Sequence, residues 1–580
     1  MSENLVLTGH LDLFEKNQKN ILLGHWCSAS INVKDVEYNF AGHHWDDYNK
    51  FEKDGKYLKD YYYKLIEIVT NFLNNYHNLN KPTKYWNLII GPYLANTLTI
   101  VWSRWEEIRQ ILEKKKNINI NVFEGDLVDH SHLDMSDFIN NQFNQYWNHF
   151  IYKEILIYKG IKFNEIKPPI KRITKYKNIS SVSLEKKLLG YYDKLLCSLF
   201  KKQNIILHRS YFGNISNFIL NLRLNKFPVF GAQFFDYTYN KKNIKIERPK
   251  IIASKNNSNI FEKFFEQLLI RLLPQSYLER YPEIIKIVKK INYNPKIIFS
   301  ALGFVENDLF KIWTAEKFIE KKEIIFSDHG FILDEFINFN YYCFSPNKYV
   351  KWKNLNKTKG HGLPPNIFVK KKETLNNENK KKLLFILNVE PIFPFRIGSC
   401  PVAADTLDNF KEWKKIYSGL NNIIKENTIL RPPPHNDPHN YWNINKMIKS
   451  EIGLNLIDIN KKLYRSFKSS KLVINTVPQT TFLETMYYDI PNVVYYNNAF
   501  MNLSTDTAAL IEEMREKKIL FSDPKKMSDH LNNIWDNPQN WWNSEDINLF
   551  KRQFKKMFFL DAKDNLKIWE NFFKENLKSL

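Results

Sequence analysis

The sequence predicts an α/β protein with two parallel sheets, each covered by helices on both faces. Short apolar runs, of the kind that form buried strands, alternate with longer segments that have the period of an amphipathic helix. This alternation is typical of doubly wound parallel sheets. The chain has 580 residues, of which 43% are hydrophobic, so it is long enough to form more than one such domain.

The first series of elements occupies the N-terminal half of the chain. Periodic apolar residues predict helices at 57–79, 99–116 and 256–274. Between them lie short runs that are nearly continuous in apolar residues, as in strands buried on both faces. These predicted strands are NLVLTG (4–9), NILLGHWC (20–27), WNLIIG (86–91) and NIILHRS (204–210).

A second series of strands begins near residue 295, with helices between most of its members. Its predicted strands are PKIIFSA (295–301), EIIFSDHG (323–330), KLLFILNV (382–389), NTILRP (427–432), KLVINTV (471–477), NVVYYN (492–497) and ILFSD (519–523). We therefore predict two Rossmann-like domains facing a cleft, at residues 1–290 and 291–545. Helices at 546–580 are expected to pack back on the first domain.

Composition narrows the class of protein. The formal net charge is +23, but the lysines come in short runs and no DNA- or RNA-binding motif is present, so nucleic acid is not a predicted partner. Such lysine runs are usually solvated surface faces, and the alternative is attraction towards an anionic membrane surface or acidic substrates. The sequence has neither a bilayer-spanning apolar run nor a signal-peptide pattern, and its four scattered cysteines suggest no zinc site. We expect a cytoplasmic protein.

Ligands of open α/β sheets bind beyond the carboxyl ends of the strands. One such position is TTFLE, which follows the predicted strand 471–477. The start of a helix there would offer free N–H groups to phosphates, and Glu484, one turn after Thr480 and Thr481, could hold ribose hydroxyls. A plain helix cap by Thr480 or Thr481, with Glu484 favouring the helix dipole, explains the same residues.

Other strand ends carry similar candidates. Arg431 and His435 lie in RPPPHND after the predicted strand 427–432, where cationic donors could neutralise a leaving phosphate. A proline-rich surface turn is the alternative. His25 follows another strand and could act as a general base, or be a structural histidine.

The stretch GHHWDDYNK (42–50) holds two histidines and two aspartates, including Asp46. Adjacent side chains point in diverging directions and no matching ligand pair is evident, so we predict no metal here. An acceptor-binding loop and a structural turn anchored by Trp45 both stay open.

Several of these segments together resemble a known family. LLGHWC, HHWDDYNKFEKDGKYL, KYWNLIIGPYL, RWEEI, FKIWTAEK, DHG, RPPPHND, TTFLETMYYDIPNVVYYN and IWDNPQNWW occur in the order found in a family of transferases encoded in bacterial O-antigen and other surface-polysaccharide gene clusters. The resemblance runs from about residue 5 to 560. It implies a GT-B-type glycosyltransferase, in which the first domain takes the acceptor and the second binds an activated nucleotide sugar, and it implies no metal or other cofactor.

The resemblance also implies roles for single residues. Thr480, Thr481 and Glu484 match the donor-side motif of the family. His435 and Asp437 match its His-and-Asp loop, and His329 and Gly330 match a His-Gly pair after a strand. Departures are Asp328, Phe331 and His25, where the family usually has Gln, Gly and Glu.

The sequence thus predicts a glycosyltransferase, cytoplasmic and peripheral at the inner face of the plasma membrane. Its expected partners are a nucleotide-sugar donor and a glycan or lipid-linked glycan acceptor. His25, His329, Asp46 and His435 are the candidate catalytic residues. Arg431, Asp437, Thr480, Thr481, Glu484 and Gly330 are the candidate donor-binding residues. The alternatives are a non-catalytic scaffold that binds glycan or lipid carrier, and a nucleotide-sugar processing enzyme, although we find no glycine-rich nicotinamide fingerprint.

Overall fold

The computed structural model of the chain contains three parallel sheets of five strands each within the residues that it describes. The described residues are 3–29, 36–115, 117–126, 131–168, 183–235, 248, 259–331, 344, 346–353, 361–369, 375, 380–388, 391–394, 406–433, 440–453, 457–458, 462–497 and 505–580.

Residues 3–166 form the first sheet and its helices. The strands are β1 (Glu3–Val6), β2 (Asn20–Leu22), β3 (Tyr38–Phe40), β4 (Ile118–Phe123) and β5 (Asn164–Ile166). The helices are α1 (Tyr48–His77), α2 (Thr83–Lys114), α3 (Met135–Asn141) and α4 (Gln145–Tyr158). The strand order is β3-β2-β1-β4-β5.

Residues 184–362 form the second sheet. Its strands are β6 (Gln203–His208), β7 (Pro295–Ser300), β8 (Glu323–Ser327), β9 (Lys348–Lys351) and β10 (His361–Gly362), in the order β10-β9-β8-β7-β6. The helices in this stretch are α5 (Leu184–Leu199), α6 (Asn214–Leu224), α7 (Ile260–Leu272), α8 (Tyr281–Val288), α9 (Gly303–Glu306) and α10 (Asp308–Ile319), of which α7 packs against α2 and α4 of the first sheet.

Residues 382–578 hold the third sheet and the C-terminal helices. The strands are β11 (Lys382–Ile386), β12 (Thr428–Arg431), β13 (Ser470–Asn475), β14 (Asn492–Tyr495) and β15 (Leu520–Phe521), in the order β12-β11-β13-β14-β15. The helices are α11 (Thr406–Gly419), α12 (Asn422–Glu426), α13 (Ile444–Glu451), α14 (Leu463–Ser469), α15 (Thr480–Tyr488), α16 (Thr505–Glu516), α17 (Pro524–Ile534), α18 (Pro538–Trp542), α19 (Glu545–Met557) and α20 (Asn565–Lys578).

The prediction of parallel α/β sheets with a helical C-terminal tail is confirmed, and the structure has one sheet more than the two predicted. The boundary predicted at residues 290–291 falls between β6 and β7, which pair in one sheet. The division into domains stays a prediction, and this pairing favours a boundary before β6. One hydrophobic core connects the sheets, since it contains Leu5, Ile298 and Leu383.

One predicted strand is wrong. Residues 86–91 lie inside α2, a helix of 32 residues that packs against α1 and α10 and is buried along most of its length. A helix surrounded by protein also has a continuous apolar run, so a short window cannot distinguish it from a buried strand. Conversely, β4 was missed because its sequence, ININVF, alternates asparagine with isoleucine.

The two C-terminal helices pack on different sheets. α19 lies against α15 of the third sheet. α20 covers α6 and the second sheet, where the Trp569 ring contacts the rings of Phe212 and Phe299. Across the described ranges we find no helix that combines the length and hydropathy needed to cross a bilayer.

Candidate active site

The loop after β8 and the start of α15 are in direct contact. The backbone N–H of Phe331 donates to Oγ1 of Thr480 at 3.0 Å. A Cβ atom added to the exposed Gly330 would lie 3.6 Å from the same oxygen. β8 belongs to the second sheet, and α15 follows β13 of the third. The contact therefore joins the carboxyl edges of two sheets, and it makes neighbours of Gly330 and Thr480, which were predicted from separate motifs.

The start of α15 differs from the helix cap considered above. The N-cap residue is Gln479, with no side-chain capping hydrogen bond, and Thr480 is the first residue of the helix. Neither threonine is therefore the N-cap. The Thr480 hydroxyl instead accepts from the backbone N–H of Phe331, in the loop after β8. Glu484 lies one turn later on the side of Thr480, and Thr480, Thr481 and Glu484 are all half-buried. The positive end of the helix dipole can attract an anion to this edge.

His329 lies next to the loop after β6, a strand separated from β8 by β7 in the second sheet. Its ring centroid is 5.9 Å from that of Tyr211, which follows β6. The preceding residue, Asp328, is bound within the second sheet, since its carboxylate accepts from the Tyr349 hydroxyl at 2.7 Å and from the Trp352 N–H at 3.2 Å. Asp328 thus fixes the start of the loop that carries His329.

Arg431 ends β12 at the carboxyl edge of the third sheet. Its Nη1 donates to Oδ2 of Asp458 at 2.6 Å and to Oγ of Ser466 at 3.1 Å. The buried carboxylate of Asp458 thus compensates the positive charge of Arg431. The expected role of Arg431, to face a phosphate of the donor, stays a prediction. His435 and Asp437 lie outside the described residues.

His25 and Asp46 lie at the carboxyl edge of the first sheet. Burial lowers the pKa of His25, while Asp408 raises it and Lys411 lowers it further. Both of these residues belong to α11, so His25 is electrostatically coupled to an element of the third sheet. Asp46 has a structural contact, because its Oδ2 accepts from the His43 N–H at 2.9 Å and caps the short helix His44–Asp46.

A buried network lies beneath this edge, and its centre, Glu107 of α2, was not predicted. Its carboxylate accepts from the hydroxyls of Ser103, at 2.6 Å, and Tyr152, and Oε1 lies 3.2 Å from Nε2 of His43. Nη1 of Arg104 is 3.6 Å from Oε1. Burial alone would raise the pKa of Glu107, but the Arg104 charge and the His43 hydrogen bond outweigh it and hold the pKa at about 2. The three-residue spacing of Arg104 and Glu107 on a largely apolar helix was the available sequence signal.

Within the described part of the chain, His43, His44 and Glu107 form the one cluster with the spacing of a metal site, their ligand atoms lying within 4.8 Å of one another. The side chain that completes this cluster with the two histidines is Glu107 of α2, which the spacing of residues in the sequence did not reveal. Nδ1 of His43 accepts from the Trp45 N–H at 3.2 Å, so the ring proton is on Nε2 and points to Glu107. In this arrangement the two histidines and Glu107 belong to a hydrogen-bonded network.

The network also reaches the third sheet. Nη2 of Arg104 donates to the carbonyl of Pro394 at 2.9 Å. The Trp26 ring stacks on that of Phe393, with the centroids 5.2 Å apart. Residues 391–394 follow β11, so the carboxyl edge of the first sheet lies against a connection of the third.

The family model of the LIC12162 family of transferases matches residues 3–573. The chain belongs to this transferase family. None of the curated proteins compared with the chain matches it.

Two solved structures give distant superpositions. Spinosyn rhamnosyltransferase SpnG is 9% identical, with 53% of this chain and 78% of SpnG covered at a TM-score of 0.30. MurG of Acinetobacter baumannii is 9% identical, with 67% of this chain and 96% of MurG covered at a TM-score of 0.29. At TM-scores this low, neither likeness carries an argument about this transferase.

The candidate residues of this transferase therefore fall into two groups. Gly330 and Thr480 meet where the second and third sheets touch, with His329 and Glu484 beside them. His25 and Asp46 lie together at the first sheet, next to α11. The sequence analysis named these residues singly, but it did not predict the two groups, the Phe331 contact or the Glu107 network.

Proposed function

We propose that this transferase moves a sugar from a nucleotide-sugar donor onto a surface-polysaccharide acceptor of the bacterial O-antigen type. The observation that carries the proposal is the contact between Phe331 and Thr480, because ligands of α/β sheets bind at the carboxyl edges that this contact joins. Membership of a transferase family supports group transfer as the reaction class. In the proposal, the second and third sheets form the GT-B pair that the sequence resemblance implies.

The donor would lie at the start of α15. The N–H groups of its first turn and the dipole of the helix would hold the phosphates, with Thr481 beside them. Glu484, one turn further, would accept hydrogen bonds from the ribose hydroxyls. Gly330 has no side chain to occupy the space beside Thr480, so the phosphates could approach closely there. His435 and Asp437 are assigned to the same donor by their motif alone.

The acceptor hydroxyl would react next to a histidine that takes its proton. In the transfer, an acceptor hydroxyl forms a bond to the anomeric carbon while the bond from that carbon to the nucleotide phosphate breaks. His329 and His25 are the candidate bases for the hydroxyl proton. Burial lowers the pKa of His25, so its ring is neutral at neutral pH and can accept a proton.

We also propose that the protein works in the cytoplasm, at the inner face of the plasma membrane. The net charge of +23 supports attraction to anionic lipids. A lipid-linked glycan would be the matching acceptor, because its carrier keeps it at that surface.

Nucleotide binding gives the first test. Purified protein is melted in the presence of CMP, UDP, GDP or dTDP, together with the variants Glu484→Ala and Glu513→Ala. Glu513 is a half-buried glutamate of α16 and serves as the matched control. A nucleotide at about a hundredfold above its Kd stabilises the folded state by about 2.7 kcal/mol. We expect one nucleotide to raise the melting temperature, Glu484→Ala to lose the response, and Glu513→Ala to keep it.

The other outcomes point to the competing functions. No response to any nucleotide would contradict the donor site and favour a non-catalytic scaffold. Equal responses in all three proteins would place the nucleotide elsewhere. Turnover of a nucleotide sugar without transfer to an acceptor would indicate a processing enzyme.

A further inference from the structure

Helix α5 exposes its large apolar side chains. Leu184, Leu188, Tyr191, Leu195 and Leu199 recur at helical spacing along one stripe, and each is more than half exposed. A helix of a globular protein normally turns such a stripe to the core. The stripe of α5 instead faces away from the second sheet.

The opposite face of α5 attaches the helix and fixes this orientation. Its buried residues are small or polar: Gly190, Asp193 and Cys197. The Asp193 carboxylate accepts from the backbone N–H groups of Phe230, at 3.0 Å, and Ala232, at 2.9 Å, and from the Tyr293 hydroxyl. The helix cannot rotate its leucines inward without breaking these bonds.

The exposed surface continues onto α6. Ile215, Phe218 and Leu222 are exposed on one side of that helix, with Ile215 at 77%. Phe230 connects the two helices, because its ring lies 5.7 Å from that of Tyr192 on α5 and 6.4 Å, nearly parallel, from that of Phe218. We call this continuous surface of α5 and α6 the α5–α6 face.

Lysines border the α5–α6 face. Lys187 and Lys194 lie along one side of the leucine stripe, and Lys201 and Lys202 follow the C-terminal end of α5; all four are exposed. Exposed leucines and tyrosines edged by lysines are typical of helices that lie in the interface of an anionic bilayer. A second copy of the chain would bring the same positive charges together, so charge complementarity favours lipid.

We propose that the α5–α6 face inserts its apolar side chains into the surface of a membrane that contains anionic lipids. Tyr211 lies just before α6 and contacts the ring of His329, so the candidate active site lies next to this face. A lipid-linked acceptor in the same bilayer would then reach His329 without leaving the membrane surface. The inference rests on the proposed membrane contact and is independent of glycosyl transfer.

Vesicle sedimentation without nucleotide tests the proposal. The full chain is mixed with vesicles of phosphatidylcholine alone or with added phosphatidylglycerol. We expect binding to the anionic vesicles, and at least about tenfold weaker binding for the double variant Leu188→Ser/Leu195→Ser, since each inserted methylene contributes to partitioning. Ile423→Ser is the matched control: Ile423 is 65% exposed on α12 and Leu195 is 63% exposed. The control should bind like the wild type.

Variants of two bordering lysines provide a second, independent test. Lys187→Gln and Lys194→Gln should each weaken binding to anionic vesicles about fivefold and leave binding to neutral vesicles unchanged. All these side chains are exposed, so the melting temperatures should match the wild type.

Three results would overturn the proposal. The first is a wild-type chain that stays in the supernatant, and the second is a double leucine variant that sediments like the wild type. The third is a dimer that the leucine variant dissociates while no protein binds vesicles, which would make a second copy the occupant of the face. Because nucleotide-induced melting shifts are measured without vesicles, failure of one proposal leaves the other testable.

Discussion

Glu107 shows how a single carboxylate can organise a domain edge. The side chains of Ser103, Tyr152, His43 and Arg104 all converge on it from α2, α4 and the loop after β3. A buried charge is costly unless it is paired and hydrogen-bonded, and here both conditions are met. Glu107 therefore fixes His43 of the GHHWDD segment, which also contains Asp46.

The low pKa of Glu107 predicts that the free energy of unfolding decreases at acid pH. Its folded pKa is about 2, below the ordinary value of 4.5, so its contribution is complete above about pH 4.5 and is lost as the pH falls towards 2. Glu107→Gln should lower the free energy of unfolding at pH 7 by about 3–5 kcal/mol, because it leaves the Arg104 charge buried and unpaired. The variant should lose less stability than the wild type between pH 4.5 and pH 3. Urea unfolding at each pH measures both effects.

Glu113→Gln is the control for this experiment, since Glu113 lies on the same helix but its side chain is 62% exposed. It should change the stability by less than about 1 kcal/mol. If Glu107→Gln keeps the acid dependence of the wild type, Glu107 is not the responsible group.

At the scale of elements, the C-terminal helix α20 completes the second sheet. Trp569 is fully buried, and its Nε1 donates to the Pro364 carbonyl at 2.9 Å. Arg223 of α6 pairs with Glu570 at 2.8 Å, so polar contacts secure the edge of an apolar interface. The last helix of the chain thus covers strands that are more than 200 residues earlier.

Truncation of Trp569 tests this covering role. Trp569→Ala should lower the free energy of unfolding by about 3–5 kcal/mol, because a large cavity would open between α20 and the rings of Phe212 and Phe299. Lys567→Ala, on the exposed side of the same helix, should cost less than about 1 kcal/mol. Denaturant unfolding compares the two, and equal losses would argue against α20 as part of the core.

For the whole molecule, the decisive feature is where the sheets meet. The Phe331 N–H bond to Thr480 joins the second sheet to the third, and Arg104 with Trp26 joins the first sheet to the connection after β11. Both junctions lie at carboxyl edges, where α/β proteins place their ligands. The relative position of the sheets therefore decides which loops share a site.

The Thr480 junction can be tested with a matched pair of variants. Thr480→Val removes the acceptor for the Phe331 N–H and should lower the free energy of unfolding by about 1 kcal/mol while weakening the nucleotide-induced melting shift. Thr480→Ser keeps the hydroxyl and should restore both. Thermal melting with and without nucleotide measures the outcome. A valine variant that behaves like the serine variant would show that the hydroxyl does not join the two sheets.

Much of the architecture was predictable from local patterns. The buried strands of the second series were found because their apolar runs are short and bounded by turns, as at 295–301 and 471–477. The error at 86–91 and the missed β4 have a common origin: a continuous apolar run reports burial and not the type of secondary structure, so a buried helix was predicted as a strand and a strand without such a run was missed. The prediction of two sheets instead of three has another reason, because strand pairing depends on tertiary contacts that no local run of residues reports.

Local patterns in the sequence are sufficient to predict an α/β protein with parallel sheets and candidate residues after the strand ends, because periodicity and strand-end chemistry are local. Three features depend on the folded chain: the bond from Thr480 to the loop carrying His329, the contact of Glu107 with His43, and the outward orientation of the α5 leucines. Each of these depends on which distant segments pack together, and packing is a property of the whole chain that no local window contains.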